Sequence, residues 1–344
     1  MKKGIHYIIF FLNIIVLFTL SFALVSPFVS PNIFWPISFF GLFFPLIVCI
    51  IFGFTLFWIF QNKKFIWINL IFLLFSSPYI IRFVSYNKNT EVNEGVKIMS
   101  YNVRLFNKWG WINEKNVDEK IISFVNNEKV DIFCIQEYYN PREDLNFNFK
   151  YSHIGIQKNK ENWHMAIYSS YPQINKGTVH INGSEMNNTC IFSDIIVKQD
   201  TIRVYNIHLA SNFFQKKDFD NITSTEKSKV KNGLIGISKK LKRSFGRRGS
   251  EVDQIKEHIS KSPYSVIICG DFNDTPVSYA YQELSKKRND AFIKSGNGIG
   301  STYTKIPTLR IDYILYDNNL YSSDFITYNT GLSDHRAISC TINF

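Results

Sequence analysis

Residues 266–276 read VIICGDFNDTP and bring Asp271, Asn273 and Asp274 together just past an apolar run. Val266, Ile267, Ile268 and Cys269 read as a buried strand, which Gly270 breaks. A carboxylate and a carboxamide one residue apart at a strand end can serve a phosphate ester in two ways. The first accepts a proton or a cation, and the second donates hydrogen bonds to developing oxyanion charge. A polar turn after a strand is the plainer reading of the same residues. Asn102 follows KIMSY, Glu137 follows DIFCIQ, His208 lies in VYNIHLAS, Asp312 in RIDYIL, and Asp334 with His335 in GLSDHR. Each alone reads as a turn residue or a structural histidine. Taken in order, each beside an apolar strand, they are hard to dismiss as turns.

The elements that must position them follow from the pattern. Residues 96–101, 130–135, 165–169, 190–197, 202–209, 266–270, 311–316 and 337–342 read as strands. Val117, Ile121, Ile122 and Val125 recur at helical spacing, as do Val252, Ile255 and Ile259. Some strands alternate strictly and others are apolar throughout, which argues for an α/β (α+β) fold of two packed sheets with outer helices. Residues 95–344 are long enough for one large core and contain no internal repeat, and 83–94 read as a linker.

The first 82 residues are of another kind. No Asp or Glu precedes Glu91, and apolar runs cover 5–25, 33–60 and 65–81. A membrane span needs about 20 apolar residues, so the runs are expected to form three transmembrane helices. A cleaved signal peptide competes for the first, although that run exceeds a usual signal core. Lys2, Lys3, Lys63 and Lys64 flank alternate ends of the runs, which places those ends in the cytoplasm. Three crossings then put the rest of the chain on the periplasmic or extracellular side of an inner membrane. Four cysteines in strand-like runs, Cys134, Cys190, Cys269 and Cys340, read as small buried hydrophobes and sit awkwardly with an oxidising compartment.

Of the formal +11 charge, five excess positive charges lie in residues 1–82, leaving +6 for the remainder. That mild excess suits a polyanion or an anionic membrane without choosing between them. Residues 227–248 hold nine basic residues and no acidic one. They read either as an arm contacting nucleic acid or lipid phosphates, or as a solvated helix face followed by a Gly-rich loop.

With GDFND and a carboxyl-terminal SDH both present, residues 95–344 resemble the endonuclease/exonuclease/phosphatase family, and GDFNDTPVSYAY resembles its membrane-attached bacterial members. The resemblance implies a four-layered α/β sandwich of two mixed sheets flanked by helices. It implies a metal site at Asn102 and Glu137 with Asp334 on the metal side. It gives Asp271 the attacking water, Asn273 and His335 the phosphate, Asp312 the support of His335, and His208 the leaving oxygen. An all-oxygen donor set of this kind suits a hard cation, Mg²⁺ or Mn²⁺, rather than zinc.

The expected reaction is direct attack of water on a phosphodiester or phosphomonoester, by an enzyme tethered to a membrane. Nucleic acid and phospholipid both remain open as substrate, and the oligomeric state is not readable. His164 before MAIYSS and Arg336 after SDH depart from the family pattern. From other classes, a catalytically silent binding module would be favoured by loss of Glu137, Asp271 or His335, and all three are present. A transporter fragment would need ionisable residues at mid-span, and there are none.

Overall fold

The computed structural model describes residues 2–61, 63–87, 95–139, 145, 147–155, 164–182, 189–212, 220, 223 and 226–344. Within the expected linker 83–94, Val84–Ser85 forms a short strand, and residues 88–94 lie outside the described residues. The chain forms two compact units. One comprises Met1–Ile81, Ala210–Ser250 and Asp274–Gln282, and the other Arg82–Leu209, Glu251–Asn273 and Glu283–Phe344.

The second unit is built on strands. In chain order they are β1 (Val84–Ser85), β2 (Val96–Asn102), β3 (Ile132–Tyr138), β4 (Tyr151–Gly155), β5 (His164–Ser169), β6 (Gln173–Thr178) and β7 (Cys190–Val197). There follow β8 (Asp200–His208), β9 (Ser265–Asp271), β10 (Arg288–Asp290), β11 (Gly298–Ile299), β12 (Asp312–Asp317), β13 (Tyr321–Tyr328) and β14 (Ala337–Asn343). Two six-stranded sheets result, ordered β10-β12-β9-β8-β7-β6 and β13-β14-β2-β3-β5-β4. Both are mixed: β8 and β9 run parallel, as do β2 and β3, and the other neighbours are antiparallel.

The period-two alternation of side chains separates the layers. Ile98, Ile132 and Cys134 share one core with Ile191, Val204, Ile267 and Ile314 of the other sheet. Met99, Tyr101, Phe133 and Ile135 face the opposite way, onto Val117, Ile121 and Val125 of the Val117–Asn127 helix. On the far side, Tyr205 meets His258 of the Lys227–Ser260 helix through a 2.9 Å hydrogen bond. Two packed sheets with helices outside are therefore as expected. Six strands were not expected: β4, β6, β10 and β13, all of them sheet edges, and β1 and β11, which pair with each other; β6 has the polar sequence QINKGT. Cys134, Cys190, Cys269 and Cys340 are free thiols and buried.

The expectation of three transmembrane helices needs correction, because among the described residues two helices are long and apolar enough to cross a membrane, Gly4–Phe28 and Phe44–Gln61. The 33–60 run is broken into Pro31–Phe34, Pro36–Leu42 and Phe44–Gln61. Pro36 has no N–H to continue the preceding helix. The third run gives Ile66–Ile80, a helix of 15 residues with Pro78 inside it. Inside this unit Asn13 and Asn69 exchange side-chain hydrogen bonds of 2.9 and 3.1 Å, and Trp58 Nε1 donates to Asn13 Oδ1 at 2.7 Å. Buried polar groups need such partners, so the trio fixes three helices in register.

The later segments of the unit pack onto the helices. Ser26 Oγ donates to the Val277 carbonyl at 3.0 Å and Thr275 Oγ1 to that of Gly41 at 3.3 Å. A Cβ on Gly41 would lie 2.2 Å from the Val277 oxygen, so only glycine fits there. Arg248, buried in the Lys227–Ser260 helix, donates from Nε to Asp274 at 3.1 Å and from Nη1 to the Ala210 carbonyl at 2.7 Å. One guanidinium thus holds the residue after Asn273 and the second residue after His208. Arg248→Ala is expected to destabilise the protein by about 3–5 kcal/mol, because the Asp274 charge stays buried without its partner; thermal unfolding in detergent, read by circular dichroism, measures the loss.

Candidate active site

Strand pairing sets the first row of groups. In one sheet His208 of β8 and Asp312 of β12 both stand opposite Asp271 of β9. In the other, Asn102 of β2 stands opposite Gln136 of β3, with Glu137 next along the chain. Gly270 allows the close β8–β9 approach: its φ is +142°, and a Cβ there would lie 1.9 Å from the Ile207 oxygen. Glu137 has φ 50° in a β-bulge between Ile135 and Tyr138. A bulge re-aims a side chain that regular pleating would send elsewhere.

The side chains form one bonded cluster. Asn102 Nδ2 donates to Glu137 Oε1 at 3.2 Å and to Asp271 Oδ2 at 3.1 Å. Asp271 Oδ1 accepts the Asn273 N–H at 2.8 Å, and Asn273 Nδ2 donates to the Leu209 carbonyl at 2.9 Å. Asn273 takes a left-handed φ of 52°, which asparagine tolerates better than most residues. His208 Nε2 lies 3.7 Å from Glu137 and 3.8 Å from Asp271. His335 puts Nδ1 3.0 Å from Asp312 and Nε2 3.7 Å from Asp271. Asp334 sits beside the cluster with its carboxylate 3.2 Å from Arg104 and 3.8 Å from Lys305.

Burial and charge set the protonation. Desolvation pushes the Glu137 carboxyl up to about 7, against the lowering influence of His335 and the Asn102 hydrogen bond. Asp271 is pushed up as well, first by burial and further by the neighbouring Asp312 charge. Burial alone would lower His335, but Asp312 and Asp271 outweigh it and raise the imidazole to about 10. The site therefore offers two carboxyls tuned near neutrality and one imidazolium flanked by acids.

Sequence reasoning missed Arg104 and the turn that aims it. Arg104, Leu105, Phe106 and Asn107 all have left-handed φ values between 45° and 60°. Such backbone costs roughly 1–2 kcal/mol per residue, and its persistence marks a site held by its surroundings. The Arg104 guanidinium also stacks 4.4 Å from the exposed Trp111 ring. The place of Arg104 two residues after Asn102 was the available signal. Ser333 Oγ donates to the Asn102 carbonyl at 2.8 Å, tying the SDH turn to β2. His164 is half-buried at the start of β5, and Arg336 donates to the Ser301 carbonyl at 2.9 Å, a backbone tie.

Among possible cation-binding groups in the described residues, Asp271, Asp312 and His335 have candidate ligand atoms within 4.8 Å of one another. His335 fits poorly as a ligand, since both ring nitrogens face carboxylates and the ring is protonated. The Glu137 carboxylate beside the Asn102 amide supplies oxygen donors, which fit a hard divalent cation.

Two packed sheets with acids and imidazoles gathered at strand ends form a site suited to the hydrolysis of phosphoric esters. Residues 99–335 match the model described as Endonuclease/Exonuclease/phosphatase family, and the chain belongs to that family, whose members are phosphoester hydrolases. Residues 6–83 match a domain of unknown function, DUF8431. Among solved structures, a functionally unknown conserved protein from Enterococcus faecalis V583 is similar at 15% identity and TM-score 0.56, over 72% of this chain and 99% of its own. The human Nocturnin catalytic domain is similar at 12% identity and TM-score 0.52, over 75% of this chain and 97% of its own. Truncated TDP2 from Caenorhabditis elegans is similar at 17% identity and TM-score 0.50, over 72% and 97%. At these identities the likeness concerns the fold. No curated protein matches the chain.

The raised Glu137 carboxyl has a thermodynamic consequence. The folded state keeps this proton to about pH 7, whereas the unfolded chain releases it near the ordinary 4.5, so stability falls as pH rises between them. With chelator present, the melting temperature is expected to decline from pH 5 to pH 7, and Glu137→Gln is expected to flatten that decline; scanning calorimetry across the interval checks both.

Proposed function

We propose that this chain is a membrane-tethered, divalent-metal-dependent phosphoesterase in which an activated water attacks the phosphorus directly. The observation that carries the reading is the Asn102 amide shared between the partly buried Glu137 and the buried Asp271, two carboxyls poised near neutral pH. A general base works best with its pKa near the operating pH, which suits Asp271 to taking the proton of the attacking water. The His335 imidazolium, held by Asp312, offers its Nε2 side to a phosphoryl oxygen. The Asn273 amide steadies the phosphate, and His208 serves the leaving oxygen.

Asn102, Glu137 and Asp334 would hold the cation, Mg²⁺ or Mn²⁺, which supplies charge stabilisation to the phosphoryl group when bound. The side chains do the rest. The Asn102 hydrogen bonds orient both carboxylates, and Arg104 fixes Asp334 through their 3.2 Å contact.

Membrane tethering is supported by exposure. Only 22% and 28% of the apolar windows of Gly4–Phe28 and Phe44–Gln61 are buried, unlike the core helix of a soluble domain. Phe11, Phe18, Phe52 and Leu46 stand exposed along them, an apolar surface larger than a soluble protein keeps in water. The Ile66–Ile80 helix returns the chain to the Ser26 end, where Tyr79 Oη meets the Leu24 carbonyl at 3.5 Å. Lys63 and Lys64 lie at the opposite end, which the positive-inside rule assigns to the cytoplasm, and the chain runs on toward the catalytic unit from the other end. A reporter fused after Phe344 is expected to signal from the periplasmic or extracellular side; a cytoplasmic signal overturns the orientation.

The reaction is tested with the full chain in detergent against a bis-aryl phosphodiester, DNA, sphingomyelin and phosphoinositides, with Mg²⁺ and with chelator. Turnover of at least one ester is expected, lost with chelator. Asp271→Asn is expected to lower kcat by about 10²–10⁴-fold with the fold intact. Turnover indifferent to chelator and to Glu137→Gln, or none on any ester, rejects the assignment.

A further inference from the structure

The basic segment that the catalytic reading leaves unused is part of one continuous helix, Lys227–Ser260. No Gly-rich loop interrupts it. Gly246 and Gly249 lie inside the helix and face Asn32 and Pro31, where an added Cβ would approach to 3.3 Å. Asn32 Nδ2 donates to Ser250 Oγ at 3.0 Å. The helix is thereby docked at the end of the long apolar helix Gly4–Phe28.

Its two faces differ. Leu241, Phe245 and Arg248 are buried. Lys231, Lys239, Lys242 and Arg243 are exposed and lie to one side of that buried stripe, Lys231 eight residues before Lys239 and the other two three and four residues after it, steps that keep side chains near one face of a helix. None of these four makes an ion pair among the described residues. One large apolar side chain stands among them, Ile235, 44% exposed, and Leu234, 55% exposed, stands at the edge of this face on the side of Leu241. Together with Lys227, Val230 and Lys231 they line a shallow cleft of about 400 Å³.

We propose that this face docks on the surface of an anionic phospholipid bilayer, an inference that rests on the membrane-tethered reading above. Lysines and arginine meet headgroup phosphates there, while Ile235 and Leu234 enter the acyl boundary. A nucleic acid backbone answers the charges alone and leaves both apolar side chains without a partner. The position agrees with the chemistry, since the end of a bilayer-crossing helix is where the headgroup layer lies. Each basic residue near such a surface adds to the attraction, which salt weakens.

The test uses the full-length protein in nanodiscs, with Ile235→Cys labelled by an environment-sensitive fluorophore in a Cys49→Ser background. The other four cysteines are buried. The probe emission is expected to shift to the blue in equal phosphatidylglycerol and phosphatidylcholine relative to phosphatidylcholine alone. High salt reverses the shift. Replacing Lys231, Lys239, Lys242 and Arg243 together by glutamine abolishes it, while hydrolysis of a soluble phosphodiester is unchanged. Identical emission in both lipids, with the protein retained in the discs, overturns the docking surface and leaves the anchor standing. A shift produced by added DNA and not by anionic lipid overturns it in favour of nucleic acid. Failure of the protein to remain in discs or in alkali-washed membranes removes the anchor and the proposal together.

Discussion

The hydrogen bond between Gln136 and Asn206 sets the relation of the two sheets on which the candidate site depends. Gln136 Nε2 donates to Asn206 Oδ1 at 2.7 Å, and Asn206 Nδ2 reaches the Ile135 and Ala166 carbonyls at 2.8 and 2.9 Å. Both side chains are fully buried between apolar layers. Apolar packing is non-directional and would tolerate some sliding of one sheet over the other. An unpaired buried amide costs far more than a paired one returns, so this bond fixes a single alignment. Glu137 and His208 lie one and two residues beyond its ends, and their 3.7 Å separation follows from it.

Much of this was legible in the sequence, for a physical reason. Central strand segments such as 132–135 and 266–270 are buried on both faces, so they are apolar throughout and stand out. The edge strands β6 and β13 carry polar and exposed residues and have one neighbour each, so their pattern is not distinct from a loop. The types and order of the candidate-site residues were readable because each lies at or next to the end of an apolar strand. The bulge at Glu137 and the left-handed turn at Arg104–Asn107 were not, because nothing in those residue types demands positive φ. Tertiary contacts impose it.

The same limit appears in the apolar region. Hydropathy gave one long run over residues 33–60, but composition does not register where a chain turns within an apolar stretch. Pro36 divides it, and the contacts of Gly41 with Ser26 and Val277 anchor the resulting short helix. Gly246 and Gly249 mislead in the opposite sense. Their small size suggested a loop, whereas the helix uses it to approach Pro31 and Asn32.

The unit that holds the apolar helices is assembled from three separate pieces of chain, Met1–Ile81, Ala210–Ser250 and Asp274–Gln282. During synthesis its first piece is finished about 130 residues before its second begins, an interval on the order of ten seconds at ribosomal speed. Through that interval Ser26, Gly41 and Asn32 have yet to meet their partners Val277, Thr275 and Ser250. Completion of this unit is thus a late step in biogenesis, and a chain stalled before residue 283 would carry apolar helices whose partners had yet to arrive in full.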